Sequence, residues 1–180
     1  MENRIIENPI GDERIEFIKT RADTGGEYLE FIQTLVGYRP GGSREHIHED
    51  IDETYWILEG KAKYSLNGEW KTAGAGEMFF VPKGTKHINP FNLEPGVPLV
   101  MRRRETPEMG VEHFYRKLYQ LSCEGEMNGT GRIGLLNLAV LAKNNPSVTY
   151  FTFSPRWIQR AWYMAAGSFA EMLGYSYDLK

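Results

Sequence analysis

The residues of this chain best suited to chemistry are histidines, and three of the four lie in two short segments. His46 and His48 are one residue apart in "HIHEDIDETYWILEG", and His87 ends "GEMFFVPKGTKH". Alternate side chains of a strand share a face, so His46 and His48 point the same way. Neutral imidazole is a good ligand for Fe, Ni, Cu and Zn, and a shared metal would explain the pair. An exposed strand with two solvated histidines explains it equally well.

Glu53 and His87 extend the histidine pair to a candidate ligand set. Glu53 lies five residues after His48, an odd offset that would place it on the opposite face of an uninterrupted strand. The intervening "EDID" can form a bend or bulge that restores the parity. Three imidazoles and one carboxylate suit a divalent transition metal. We therefore expect one such ion, whether Fe, Mn, Ni, Co or Zn.

The segments around these residues carry the pattern of short strands. Residues 14–106 alternate in polarity, are rich in β-branched and aromatic residues, and have turn residues between the runs. Asn67-Gly68 is the strongest short hairpin signal among them. Short strands at regular spacing predict an antiparallel sandwich or barrel, and we place this all-β core at residues 1–106.

The pattern becomes helical after residue 106. Thr106-Pro107 predicts a helix start, and a second start is predicted at Ser154-Pro155. The second helix carries an apolar stripe, formed by Ile158, Ala161, Trp162, Ala165, Phe169, Met172 and Leu173. We therefore expect residues 107–180 to be a C-terminal α-helical extension that packs on the barrel or on a second subunit.

The two histidine segments resemble the two motifs of the cupin superfamily. His46, His48, Glu53 and Gly60 match the H-x-H-x4-E-x6-G part of the first motif, and Gly76, Pro82, Gly84 and His87 match the second. The resemblance covers roughly residues 30 to 105. The opening glycine of the first motif is replaced by Pro40, and the closing asparagine of the second by Phe91.

The resemblance implies a cupin jelly-roll β-barrel that holds a metal at His46, His48, Glu53 and His87. Oxygenase, isomerase and decarboxylase chemistries all occur on this scaffold, and the fold does not choose among them. A non-catalytic sensor or small-ligand-binding module remains the alternative. A homodimer is expected as well, because antiparallel barrels have exposed edges and two-fold dimers are the commonest oligomers.

Several further residues are candidates for binding a small-molecule ligand beside the metal. Tyr55 and Ile57 share the parity of Glu53, and strand alternation puts Arg102 and Arg104 on one face, where an inward arginine would bind a carboxylate or phosphate. Ordinary core packing or a solvated surface explains each residue as well. The full candidate set is Tyr55, Ile57, Tyr64, Met78, Phe80, Arg102 and Arg104.

Charge and composition narrow the class of protein. The net charge is −3, so no basic footprint for nucleic acid is expected. The single cysteine, Cys123, excludes an intrachain disulfide and a cysteine-rich metal site. The polar N-terminus does not read as a secretory signal, and no apolar run is long enough to span a membrane. We expect a cytoplasmic protein.

Overall fold

The structure is a computed structural model, and it describes residues 3–37, 43–129, 131–147 and 149–179. Pro40, where the first motif departs from its pattern, lies outside the described residues. The elements are β1 (Ile5–Asn8), β2 (Glu13–Lys19), α1 (Arg21–Thr24), β3 (Leu29–Leu35), β4 (His46–His48), β5 (Asp52–Glu59), β6 (Lys61–Leu66), β7 (Glu69–Gly74), β8 (Met78–Val81), β9 (His87–Asn92), β10 (Leu99–Thr106), α2 (Val111–Cys123), α3 (Leu135–Asn144), β11 (Thr149–Phe151) and α4 (Arg156–Met172).

The strands form two antiparallel sheets, as their alternation and turn residues predicted. One sheet has the order β1-β2-β3-β10-β5-β8, and the other has the order β11-β4-β9-β6-β7. β5, which carries Glu53, belongs to the first sheet, whereas β4 and β9, which carry the histidines, belong to the second. The carboxylate and the imidazoles therefore reach the same interior from opposite sheets.

The apolar side chains of the two sheets form two clusters. The first lies between the sheets and contains Tyr55, Ile57, Ala62, Tyr64, Ala73, Phe79, Val81, Leu99 and Met101. The second joins β2 and β3 to α2, and contains Ile15, Phe17, Leu29, Phe31 and Tyr119. Leu99 and Met101 alternate with exposed or half-buried residues along β10, which fixes the inward face of that strand. Helix α2 is thus part of the folded unit.

Two glycines in the turns meet different requirements. Asn67 and Gly68 both have positive φ and connect β6 to β7, which confirms the predicted hairpin. Gly60, at the end of the first motif, also has positive φ, and a Cβ there would lie 2.5 Å from the carbonyl oxygen of Pro98. At Gly60 a side chain would both strain the backbone, because φ is positive, and clash with Pro98. At Gly68 it would only strain the backbone, because no atom lies close enough to clash.

The C-terminal region contributes helices and one strand. Helix α2 begins at Val111 with Gly110 before it, because Thr106 still belongs to β10, so the predicted start at Thr106-Pro107 is four residues early. Strand β11 pairs with β4 in the register Thr149↔His48, Tyr150↔Ile47 and Phe151↔His46. No helix among the described residues is long and apolar enough to cross a membrane.

Helices α3 and α4 pack on each other through a face that differs from the predicted stripe. The buried residues of α4 are Gln159, Tyr163, Gly167 and Ala170. Gly167 permits the contact, because a Cβ there would lie 2.9 Å from the carbonyl oxygen of Ala139. The predicted stripe stays exposed in the single chain, from 38% at Trp162 to 84% at Met172.

Candidate metal centre

Three histidines meet in the interior of the sandwich. One ring nitrogen from each of His46, His48 and His87 lies within 4.8 Å of the others. His46 and His48 come from β4 with the same parity, and His87 lies opposite His46 in the pairing of β4 with β9. His46 and His87 are buried, at 4% and 2% exposure, and His48 is half-buried. The structure thus brings together the three imidazoles that the two sequence motifs had grouped.

Hydrogen bonds at the far ring nitrogens fix how two of these imidazoles point. Nδ1 of His46 donates to the carbonyl oxygen of Arg44 at 2.7 Å, and Nδ1 of His87 donates to that of Thr85 at 2.9 Å. A carbonyl only accepts, so each Nδ1 carries the proton and each Nε2 of the neutral ring keeps its lone pair. This is the arrangement of histidines that bind a metal through Nε2.

Glu53 lies beside His87 in a contact that calls for a cation. Oε2 of Glu53 is 2.8 Å from Nε2 of His87, yet both atoms are buried without a well-formed hydrogen bond. A carboxylate oxygen and an imidazole lone pair repel at this distance unless a proton or a metal ion accompanies them. Ligands about 2.0–2.2 Å from one zinc-like ion lie about 3 Å apart when at right angles. The donor set therefore fits a divalent transition metal.

The other oxygen of Glu53 is held by a buried arginine. Nη2 of Arg103 donates to Oε1 of Glu53 at 3.0 Å and to Oε1 of Glu105 at 2.6 Å. Nη1 donates to Gln33 at 2.8 Å and to the hydroxyl of Tyr115 at 3.0 Å. The hydroxyl of Tyr55 also donates to Oε1 of Glu53, at 3.0 Å. Glu53 is thus fixed from behind, with Oε2 directed at the histidines.

Burial and close charges set the protonation of this cluster. Burial, with His87 and His48 nearby, lowers the pKa of His46 to about 3, and burial also lowers the pKa of His48. Burial disfavours the charged forms of His87 and Glu53 as well. The contact between the two groups has the larger effect, however, so the pKa of His87 is raised and the pKa of Glu53 is held well below its ordinary value. Burial and then Glu53 raise the pKa of Glu105 well above its usual range.

A cavity of about 180 Å³ lies against the centre. Its wall combines residues of the sheets with residues of the C-terminal extension. The sheet side and the loops beside it give Ser43, Arg44, His46, His48, Ile51, Glu53, Asn89 and Glu105; the extension gives Val111, Phe114, Tyr115, Asn145, Ser147, Thr149 and Phe151. The candidate metal centre therefore faces residues of the C-terminal extension as well as residues of the sheets.

The proposed ligand-binding residues on β5 and β6 lie in the core. Tyr55 is fully buried and reaches the centre through its hydrogen bond to Glu53, and Oδ1 of Asn89 lies 3.3 Å from the same hydroxyl. Ile57 and Tyr64 belong to the apolar cluster between the sheets, where the ring of Tyr64 stacks on Phe79 at 3.8 Å. None of these three residues lines the cavity.

The other four proposed residues lie on outward faces. Met78 and Phe80 are 59% and 48% exposed on β8. Arg102 and Arg104 both pair with Glu30, at 2.7 and 2.6 Å, and their guanidinium groups lie over the ring of Trp56. The structure thus does not bring these four side chains to the metal centre.

Sequence reasoning missed two residues that contact the centre. Arg103 is the inward arginine, and the signal was available, because Arg103 shares the parity of the apolar residues Leu99 and Met101. Thr149 lies beside His48, with Oγ1 3.5 Å from Nδ1 of that ring. Nothing in the local sequence could have found Thr149, because the contact joins segments 101 residues apart.

Comparison with known proteins finds a family match for part of the chain and a similar curated protein. Residues 34–101 match the family model described as "Cupin domain". A curated protein of Aquifex aeolicus (strain VF5), described as an uncharacterized protein, is 34% identical over 77 residues. The match covers 42% of this chain and 58% of that protein, so the chain spans less than two thirds of the relative's length.

Three solved structures are similar to part of this chain. KdgF from Halomonas sp. is 19% identical, with a TM-score of 0.46, over 58% of this chain and 88% of its own. A predicted oxalate decarboxylase from Thermotoga maritima is 23% identical, with a TM-score of 0.46, over 57% and 90%. An RmlC-like cupin from Shewanella frigidimarina is 15% identical, with a TM-score of 0.45, over 59% and 85%.

Proposed function

We propose that this chain, whose residues 34–101 match the family model described as "Cupin domain", binds one divalent transition metal and acts through it on a small molecule. The proposed ligands are His46, His48, His87 and Glu53. The observation that carries the proposal is the buried contact of Glu53 Oε2 with His87 Nε2 at 2.8 Å, beside the ring nitrogens of His46 and His48.

The chain's own residues would hold such an ion in a fixed environment. Arg44 and Thr85 orient two imidazoles through their carbonyl oxygens. Arg103 and Tyr55 keep the Glu53 carboxylate in place, and the positive charge of Arg103 neutralises it in part. When bound, the metal supplies a Lewis acid that holds an oxygen atom of the ligand. The donor set admits Fe, Mn, Ni, Co or Zn.

Metal binding is tested with protein purified without chelator and without a histidine tag. Metal at about a hundred times its dissociation constant should add ~2.7 kcal/mol to the free energy of unfolding. His48→Ala should abolish this increment while the metal-free variant still folds. His113→Ala is the matched control, because His113 lies on α2 and donates to the carbonyl oxygen of Tyr177, away from the centre. No bound metal, and no thermal shift with any of the five ions, would refute the proposal.

Oxygenase, isomerase or decarboxylase activity is the finer proposal, and the cavity against the histidines supports it. A sensor or ligand-binding module would use the same cavity without turnover. The test incubates metal-loaded protein with mixtures of small carboxylates, enols and hydroxy acids, and follows each compound by mass spectrometry. Loss of a compound with wild type but not with His48→Ala supports an enzyme. A compound that raises the melting temperature and stays intact supports the binding module.

We also propose that the exposed apolar stripe of α4 packs on a second copy of the chain. Soluble monomers rarely leave a contiguous apolar patch of more than a few hundred Å², and the stripe includes Trp162, Phe169 and Met172 at 38%, 54% and 84% exposure. In light scattering, Trp162→Asp should convert a dimer to a monomer with an unchanged fold. Trp70→Asp, at an exposed tryptophan of β7, should leave the dimer intact. A wild type that is monomeric at every concentration would exclude this interface.

A further inference from the structure

We infer that the C-terminal extension builds the outer half of the metal cavity, where Thr149 positions His48 and where Phe114 and Phe151 restrict the ligand to a single ring or a short chain. The inference rests on the proposed metal site and assigns residues outside the matched domain to it. The C-terminal extension then helps to determine which ligands reach the metal.

Strand pairing places the extension at the ligand strand. β11 runs antiparallel to β4, and its three residues lie opposite the three residues of β4. Thr149 is the partner of His48, and Phe151 is the partner of His46. The amide of Phe151 and its carbonyl are both bound by the side chain of Gln159, at 3.0 and 2.8 Å, so α4 holds the strand in register.

Thr149 takes for His48 the role that backbone carbonyls take for the other two histidines. His46 and His87 each donate from Nδ1 to the carbonyl two residues earlier. The Nδ1 of His48 faces instead the hydroxyl of Thr149 at 3.5 Å. A hydroxyl can accept this hydrogen bond as a carbonyl does, and in the tautomer with the proton on Nδ1 the Nε2 of His48 is free for the metal. One of the three imidazoles is therefore oriented by the extension.

The size of the cavity limits what can reach the metal. Cavities that bind drug-sized ligands measure about 300–1,000 Å³, and a cavity of about 150 Å³ accepts benzene. The cavity here is about 180 Å³, enough for one six-membered ring with a small substituent. Phe114 and Phe151 lie in its wall, so truncation of either ring should enlarge it.

The chemistry of the wall indicates the class of ligand. The cavity presents apolar surface from Ile51, Val111, Phe114 and Phe151, and His46 and His48 lie in the same wall. A compound that fits has a compact apolar body and an oxygen-bearing end, such as a carbonyl, hydroxyl or carboxylate, directed at the metal. Hydroxamates have this form and serve as probes.

The positioning role of Thr149 is tested by metal affinity, without any activity assay. Co(II) binding is measured by calorimetry for wild type, Thr149→Val and Thr149→Ser. The valine variant keeps the shape without the hydroxyl, and its dissociation constant should rise about tenfold, the lower end for such outer residues. The serine variant restores the hydroxyl and should bind Co(II) within twofold of wild type. A valine variant within twofold of wild type would overturn this role.

The size limit is tested with acetohydroxamate, benzohydroxamate and 2-naphthohydroxamate added to Co(II)-loaded protein, followed by the visible spectrum. The first two should shift the spectrum of wild type, and the two-ring probe should not. Phe151→Ala and Phe114→Ala should each admit the two-ring probe, so the test survives if one variant does not fold. Phe80→Ala, at an exposed phenylalanine outside the cavity wall, should behave as wild type.

The two levels of the proposal fail in different ways. If Co(II) does not bind to wild type at all, the metal site is wrong and the inference falls with it. If Co(II) binds but 2-naphthohydroxamate shifts the wild-type spectrum as benzohydroxamate does, only the size limit is wrong. The same holds if neither truncation at Phe114 or Phe151 admits the larger probe.

Discussion

Replacing Arg103 should cost the metal-free protein far more stability than replacing its neighbour Arg102. The side chains of Arg103 and Glu53 are each 3% exposed, so solvent screens their interaction little. Arg103→Met would leave the Glu53 carboxylate buried without its cation. Breaking a buried pair in this way costs about 3–5 kcal/mol. Arg102 is 41% exposed, and Glu30 keeps Arg104 when Arg102 is lost, so Arg102→Met should cost less than about 1 kcal/mol.

Urea unfolding in the presence of chelator measures the difference. With a slope near 2 kcal/mol/M, a loss of 4 kcal/mol lowers the urea midpoint by about 2 M, whereas the control shifts it by less than about 0.5 M. Added Co(II) should restore part of the loss in Arg103→Met, because the ion places positive charge beside Glu53. A loss below about 1 kcal/mol in Arg103→Met, or equal losses in the two variants, would refute the reasoning.

Three further changes have outcomes that the structure fixes. Co(II) affinity, titrated by absorbance at several pH values, should weaken as the pH is lowered, and the decline should begin above pH 6.5. The raised pKa of His87 lets protons compete with the metal in that range, whereas His46, with its pKa near 3, stays neutral. A flat profile from pH 8 to 5 would contradict this. Gly60→Ala should lower the melting temperature more than Gly68→Ala, since only the former also meets backbone, and equal shifts would count against the close approach. Gly167→Ala should cost about 1–3 kcal/mol in chemical unfolding by forcing α3 and α4 apart, which an unchanged midpoint would exclude.

The sequence predicted the part of the site that depends on local spacing. His46 and His48 share a face because strand parity is a property of neighbouring residues, and the bend at residues 49–50 restores the inward direction of Glu53 as predicted. His87 was placed by its motif, since spacing alone does not say which strands meet. The assignment of Glu53 as a ligand stays a prediction.

The parts that were not predicted have two different causes. Arg102 and Arg104 were favoured over Arg103, although the alternation of β10 with its apolar residues indicates the reverse. On α4, the helix turns its small residue Gly167 to α3, where the two backbones approach closely, whereas the packing of the apolar stripe with Trp162 on a second subunit stays a prediction. The packing of Gly167 on α3 is not visible in the helical period alone.

The pairing of β11 with β4 also determines when the centre can be completed during synthesis. His48 precedes Thr149 by 101 residues, which a ribosome adds in about 5–20 s at 5–20 residues per second. Throughout that interval one edge of β4 has no neighbour, and unpaired edges invite association between nascent chains. Register matters as well, because a slip by one residue would turn Thr149 to the opposite face. The histidine strand is thus among the last parts of the sandwich to reach its final pairing.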